Sequence, residues 1–124
     1  MIVLHYTAMT SPEAALERLC DPQHEVSAHY LIDQQGATIQ LVAEAQRAWH
    51  AGVGAWGGCD DINSASIGVE LCNAGNHIFP AAQMQALISL LREMMQRWKI
   101  SADKVIGHSD MAPARKQDPG RLFD

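Results

Sequence analysis

The stretch SIGVELC, residues 66–72, holds the clearest strand pattern of this 124-residue chain. Ile67, Val69 and Leu71 alternate with residues that point the other way, so one face of the strand is apolar and belongs on a core. The opposite face carries Glu70. A carboxylate fixed on a buried strand between valine and leucine favours a function over a surface ion pair with an arginine.

A helix pattern follows this strand. Pro80 opens a segment in which apolar residues recur every three or four positions, which is typical of a helix packed on a core. These residues are Met84, Leu87, Ile88, Leu91, Met95 and Trp98. The pattern favours packing rather than a cofactor site, and the charged residues among them exclude a transmembrane segment.

The remaining segments predict four more strands, two of them joined in a hairpin, and a first helix. Residues 2–6 form an apolar, β-branched run, and a helix begins at Pro12 after it. Residues 28–43 alternate around the turn residue Gly36 and predict an antiparallel hairpin. VIGH, residues 105–108, is a last short strand. The resulting order predicts an α/β fold in which a mixed central β-sheet is flanked by helices.

Composition restricts the kind of protein. With 48% hydrophobic and 19% charged residues, the chain is of ordinary globular type, and its length predicts a single domain over residues 1–124. Its net charge of −5 and nine scattered Lys and Arg residues argue against a nucleic-acid partner. The N-terminus MIVLHYT lacks the features of a secretion signal, so we expect the cytoplasm; the periplasm or cell envelope is the alternative for a processed or trimmed chain. We expect a monomer.

A long loop, AWHAGVGAWGGCDDINSAS (residues 48–66), separates the hairpin from the strand. Loops of this length in compact domains are usually functional, so we expect it to border a cleft. In it, His50 either lines a substrate groove or satisfies loop carbonyls. Trp49 and Trp56 either form groove walls or anchor the loop, and Asn63 is a candidate groove residue.

The stretch GHSDMAPARKQDPG, residues 107–120, carries the remaining polar chemistry. His5 on the first strand, His108 after the last and Asp118 in the following loop would give zinc three protein ligands and leave a fourth position for water, the pattern of catalytic zinc sites. Ligands this far apart have no fixed spacing. The residues alone therefore leave both a metal site and unrelated side chains open, and Lys116 by itself reads as an ordinary solvated lysine.

Five segments, in order, resemble the zinc-dependent N-acetylmuramoyl-L-alanine amidases of type 2, a family related to peptidoglycan recognition proteins and phage amidases. They are HYT, AHYLI, AWHAG, SIGVE and GHSDMAPARKQDPG, and they run from His5 to the end of the chain. The resemblance implies the amidase-like fold of that family. It also implies a zinc hydrolase that cleaves the amide between N-acetylmuramic acid and L-alanine of muropeptides or peptidoglycan, in cell-wall recycling or remodelling.

The resemblance also implies a role for individual residues. The zinc ligands of the family fall on His5, His108 and Asp118, its catalytic glutamate on Glu70, and its catalytic lysine on Lys116. Glu70 would carry the proton from the attacking water to the leaving amine, and Lys116 would stabilise the oxyanion. Substrate-binding candidates, of which Arg115 suits a carboxylate by its fork geometry, are Trp49, His50, Asn63 and Arg115.

Two other functions stay open from the sequence. The first is a peptidoglycan-binding module without catalysis, which typically has lost a metal ligand, whereas all three ligand positions are filled here. The second is a phage or toxin-type lytic amidase, which shares the chemistry and differs in its biological role.

Overall fold

The computed structural model describes residues 1–124 and contains one five-stranded sheet with helices against it. The strands are β1 (Ile2–Tyr6), β2 (Tyr30–Ile32), β3 (Thr38–Gln40), β4 (Ile67–Leu71) and β5 (Val105–Gly107). The helices are α1 (Pro12–Cys20), α2 (Ile62–Ala65), α3 (Ala81–Trp98) and α4 (His108–Met111), and 3-10 turns occupy Pro22–His24 and Ala102–Lys104. None of the helices is long and apolar enough to cross a membrane.

The sheet has the strand order β3-β2-β4-β1-β5. β4 is parallel to β1 and β2, β1 is parallel to β5, and only the β2–β3 hairpin is antiparallel, so the predicted mixed sheet is confirmed. In this register His5 lies opposite Glu70 on the neighbouring strand. Because parallel strands end at the same edge of a sheet, side chains near the ends of β1, β4 and β5 converge there.

The two faces of the sheet bury different clusters. Ile67, Val69 and Leu71 pack toward α3, as their alternation predicts, in a core with Leu87 and Met94. The second face carries a smaller cluster around Val3, Ile62, Ile106 and Met111. The loop that precedes β4 covers this second face, since α2 begins at Ile62 inside it.

Most of the predicted apolar stripe of α3 packs on the core, since Leu87 is buried there and Met84, Leu91 and Met95 are partly buried against it. The helix buries Gln83, Leu87, Leu90 and Met94, whereas Ile88 is 43% and Trp98 46% exposed. Gln83 explains the difference, because its Nε2 donates to the carbonyls of Ile32 and Cys72 at 3.0 and 3.1 Å and so turns a polar residue into the core. The pattern of apolar residues in the sequence predicts that Gln83 is exposed.

The predicted helix start and hairpin turn agree with the structure. Ser11 caps α1 by accepting a hydrogen bond from the backbone of Ala14 at 3.1 Å, and Pro12 is the first residue of the helix. Gly36 adopts a φ of 88° in the hairpin turn. The segment after β5, predicted as a loop, begins instead with the single-turn helix α4, whose first residue is His108.

Candidate metal and catalytic site

Three strands deliver the central side chains of the site to one edge of the sheet. His5 is the fourth residue of β1, Glu70 is the fourth residue of β4, and His108 follows β5 directly. Asp118 comes from the loop after α4. Its backbone carbonyl accepts a hydrogen bond from the N–H of Ser109 at 2.9 Å. The parallel arrangement therefore gathers residues that lie more than 100 positions apart in the sequence.

His5, His108 and Asp118 form a buried triangle of possible ligand atoms. His5 Nδ1 lies 2.9 Å from His108 Nδ1 and 3.1 Å from Asp118 Oδ2, and His108 Nδ1 lies 3.2 Å from the same oxygen. The three residues are 1%, 4% and 6% exposed. Atoms bound tetrahedrally to an ion at zinc distances stand about 3.3 Å apart. The group could therefore bind a metal ion.

The donor set fits zinc in type as well as in spacing. Two imidazole nitrogens and one carboxylate oxygen are ligands that zinc takes in catalytic sites, with a further position left open. His108 Nε2 donates to the carbonyl of Ala51 at 2.7 Å. A neutral imidazole carries one proton, so this hydrogen bond leaves the lone pair of His108 Nδ1 directed into the triangle.

The pKa values of the two carboxyl groups of the site, Glu70 and Asp118, are shifted in opposite directions. Burial first, and the charge of Asp118 second, raise the pKa of Glu70 from 4.5 to about 8, against a smaller lowering by Lys116. No partner lies within hydrogen-bond reach of Glu70 Oε2, which is buried. Burial also opposes ionisation of Asp118, but its contacts with His108 and His5 outweigh burial, and its pKa falls below the ordinary value. Burial lowers the pKa of His5.

A cleft of about 270 Å³ opens above these side chains. Its floor holds the triangle and Glu70, and its walls include Lys116, Trp49 and Arg18. Trp49 is 52% exposed, so its ring is available beside the cleft. The positions predicted as ligands, base and oxyanion partner thus share one cavity.

Two of the predicted substrate-binding residues make structural contacts with the long loop. Asn63 Oδ1 accepts the backbone N–H groups of His50 and Ala51 at 3.0 and 2.8 Å. Arg115 Nη2 donates to the carbonyls of Ala51 and Val53 at 2.7 and 2.8 Å. Both side chains hold the loop in place, and their contact with a substrate stays a prediction.

His50 has a contact that the sequence did not predict. Its ring is buried, and its Nδ1 lies 3.0 Å from Nε2 of His5. Burial first, and the neighbouring histidines second, lower the pKa of His50 to about 2, so the ring is neutral. The glycine at position 68 was a sequence signal for this contact, because glycine inside a strand often marks the close approach of another group. In the structure a Cβ at Gly68 would lie 2.4 Å from Cγ of His50.

Two further aromatic residues have structural roles. His29 is fully buried, accepts the backbone N–H of Gly68 at Nδ1 and donates from Nε2 to the carbonyl of Gln46. His29 is therefore a packed histidine held by two backbone contacts. Trp56 donates to the carbonyl of Asp103 at 3.3 Å and packs on the second core cluster, so it anchors the loop.

Comparisons with known proteins agree with this arrangement. The chain is 40% identical to the N-acetylmuramoyl-L-alanine amidase AmiD of Escherichia coli, over 99% of the chain and 49% of that protein. It is 42% identical to the 1,6-anhydro-N-acetylmuramyl-L-alanine amidase AmpD of Haemophilus influenzae, over 82% of the chain and 56% of that protein. The chain therefore spans about half of the length of these relatives.

A solved structure extends the similarity to three dimensions. E. coli AmiD, in complex with the substrate anhydro-N-acetylmuramic acid-L-Ala-D-gamma-Glu-L-Lys, superposes with a TM-score of 0.94 at 39% identity, over the whole chain and 53% of that protein. The sequence profile for N-acetylmuramoyl-L-alanine amidases matches residues 1–121. The resemblance found in the sequence is confirmed, and the chain belongs to the Amidase_2 family of N-acetylmuramoyl-L-alanine amidases.

Proposed function

We propose that this chain is a zinc-dependent amidase that hydrolyses the bond between N-acetylmuramic acid and L-alanine in muropeptides or peptidoglycan. The observation that carries the proposal is the buried triangle of His5, His108 and Asp118 on the floor of a cleft that also contains Glu70. Relatives that are 40% and 42% identical carry this activity in their names, and one was solved with an anhydromuropeptide.

His5, His108 and Asp118 are the residues that would hold zinc. Zinc bound there would polarise the substrate carbonyl as a Lewis acid and make water a stronger acid. Nδ1 of both histidines and Oδ2 of Asp118 already face one another at 2.9–3.2 Å, so the protein needs little rearrangement to bind the ion. This preorganisation supports a resident metal rather than an occasional one.

Glu70 is the general base and then the general acid of the proposed reaction. Its carboxylate takes a proton from the attacking water and delivers that proton to the nitrogen of L-alanine as the amide bond breaks. A carboxyl group with a raised pKa is suited to this double task, because its carboxylate is a stronger base toward the attacking water and a pKa of about 8 lies near the pH at which the proton must be both taken up and released.

Lys116 supplies positive charge at the cleft wall. When water adds to the amide carbonyl, negative charge develops on the carbonyl oxygen, and a cation positioned beside it stabilises the tetrahedral intermediate. Lys116 lines the same cleft as Glu70 and the triangle. Trp49 at the rim offers an apolar ring on which a sugar or peptide could stack.

A test compares Glu70→Ala with Glu93→Ala, a matched change at an exposed glutamate of α3. Both variants are incubated with an anhydro-N-acetylmuramoyl peptide, and the released stem peptide is measured by mass spectrometry. We expect Glu93→Ala to behave like the natural chain. Glu70→Ala should lose about 10²–10⁴-fold in turnover while it keeps one zinc per chain.

Metal removal completes the test. Chelation should abolish hydrolysis, and added zinc should restore it. Unchanged turnover by Glu70→Ala, or full activity after chelation, would contradict the proposed roles. Binding of the muropeptide without cleavage by any form of the protein would favour the non-catalytic binding module. The expected monomer and cytoplasmic location stay predictions.

A further inference from the structure

A chain of hydrogen bonds runs from the metal-facing His5 into the interior of the protein. It passes from His5 Nε2 to His50 Nδ1 at 3.0 Å, from His50 Nε2 to Ser66 Oγ at 3.2 Å, and from Ser66 Oγ to the carbonyl of Ile62 at 2.5 Å. We propose that Ser66 and His50 are positioning residues that fix the tautomer of His5 and leave its Nδ1 free for the metal. The proposal rests on the proposed zinc site.

The direction of the chain is set at its inner end. The carbonyl oxygen of Ile62 has no proton to give, so the short contact with Ser66 must use the only proton of the serine hydroxyl. Ser66 Oγ is then an acceptor toward His50, which donates from Nε2. A carbonyl at the end of the chain therefore decides the position of every proton before it.

The same reasoning carries through the two rings. A neutral His50 with its proton on Nε2 has a lone pair on Nδ1, which accepts a hydrogen bond from Nε2 of His5. His5 then carries a proton on Nε2, so its Nδ1 can serve as a metal ligand. In the metal-free protein a further proton, shared among Nδ1 of the two histidines and Asp118 Oδ2 at 2.9–3.2 Å, takes the place of the ion. When that proton leaves, both histidines present unprotonated Nδ1 atoms, since His108 keeps its own proton on Nε2 toward Ala51.

The His50 ring has little freedom to adopt another orientation. Its backbone N–H is held by Asn63 Oδ1 at 3.0 Å. The ring lies against the backbone of Gly68, where a Cβ would come within 2.4–2.7 Å of three ring atoms. Ser66 is 9% exposed, so water has little access to the inner end of the chain. This chain of hydrogen bonds from His5 through His50 and Ser66 to Ile62, called the relay below, is therefore fixed by packing as well as by hydrogen bonds.

Loss of the serine hydroxyl should reverse the relay. In Ser66→Ala, His50 Nε2 has no acceptor, so the tautomer with the proton on Nδ1 becomes competitive. That proton points at Nε2 of His5, which must then accept it and carry its own proton on Nδ1, the atom that faces the metal. Changes to such outer partners cost about 10–100-fold in metal affinity, and we expect about tenfold here.

Side-chain ¹⁵N NMR of the metal-free protein tests the tautomer directly, and zinc affinity is measured in parallel against a competing chelator. In the natural chain we expect a proton on Nε2 of His5. Ser66→Ala should leave Nε2 unprotonated in a large fraction of molecules and weaken zinc about tenfold. Ser66→Thr keeps the hydroxyl and should restore both readouts.

Ser27→Ala is the matched control, because Ser27 Oγ accepts the N–H of Trp49 at 2.8 Å, next to His50, without touching the relay. It should leave the His5 tautomer unchanged. An unchanged tautomer and zinc affinity in Ser66→Ala would overturn the proposal. If the natural chain bound no zinc, the proposed function would fail, whereas the metal-free NMR spectrum would still decide the relay.

Discussion

Glu70 combines a proposed catalytic role with a cost to stability, and Glu70→Gln separates the two. The substitution keeps the shape of the side chain and removes its ionisation. In the metal-free protein, burial raises the pKa of Glu70 from 4.5 to about 8. Because the folded-state pKa is the higher one, the neutral carboxyl stabilises the fold fully below pH 4.5, and this contribution is lost as the pH rises to 8.

The size of the effect follows from the two pKa values. The interval from 4.5 to about 8, taken at about 1.4 kcal/mol per pH unit, corresponds to about 5 kcal/mol as an upper limit, of which about 3 kcal/mol is lost by pH 7. Glutamine does not titrate. The free energy of unfolding of Glu70→Gln, relative to the natural chain, should therefore rise between pH 4.5 and 8 and level off above.

Urea denaturation in the presence of a chelator, repeated from pH 4.5 to 9, measures this difference. Glu93→Gln is the control, because Glu93 is exposed on α3 and its curve should run parallel to that of the natural chain. Zinc should shrink the effect, since a nearby cation favours the ionised carboxylate. Parallel curves for Glu70→Gln and the natural chain would refute a buried, uncompensated carboxyl at this site.

Two further predictions concern the packing behind the ligands. Gly68→Ala puts a methyl group 2.4 Å from Cγ of His50, so we expect a loss of about 1–3 kcal/mol in the free energy of unfolding and weaker zinc binding; natural stability would show that the ring can move aside. Arg115→Ala removes the donor to Ala51 and Val53, so amide hydrogen exchange in the loop should accelerate, and an unchanged exchange rate would argue against this clamp.

Much of the fold could be predicted because local signals agree with the tertiary structure. The alternation around Glu70 predicted both faces of β4, and Pro12 predicted the start of α1. Most of the predicted stripe on α3 packs on the core, but the burial of Gln83 depends on hydrogen bonds to distant carbonyls, which periodicity cannot predict. Strand order was also beyond reach, since it depends on pairings between remote segments.

The sequence predicted which residues could form the site, but not the contacts that hold those residues in place. His5, His108 and Asp118 were candidates by chemistry, and the resemblance to a known family singled them out. The contacts of His50, Asn63 and Arg115 depend on how one loop folds back on the sheet, and residue type alone allows either a groove or a scaffold. Only three-dimensional contacts distinguish those two possibilities.

The long loop backs both imidazoles with neighbouring residues, since His50 contacts His5 and the Ala51 carbonyl contacts His108. An inserted or deleted residue here would disturb both ligands at once. Further along, the side chain of Val53 is 85% exposed. The loop thus joins a segment whose length is fixed by two imidazole contacts to an exposed position at Val53, where a side chain could be exchanged without touching those contacts.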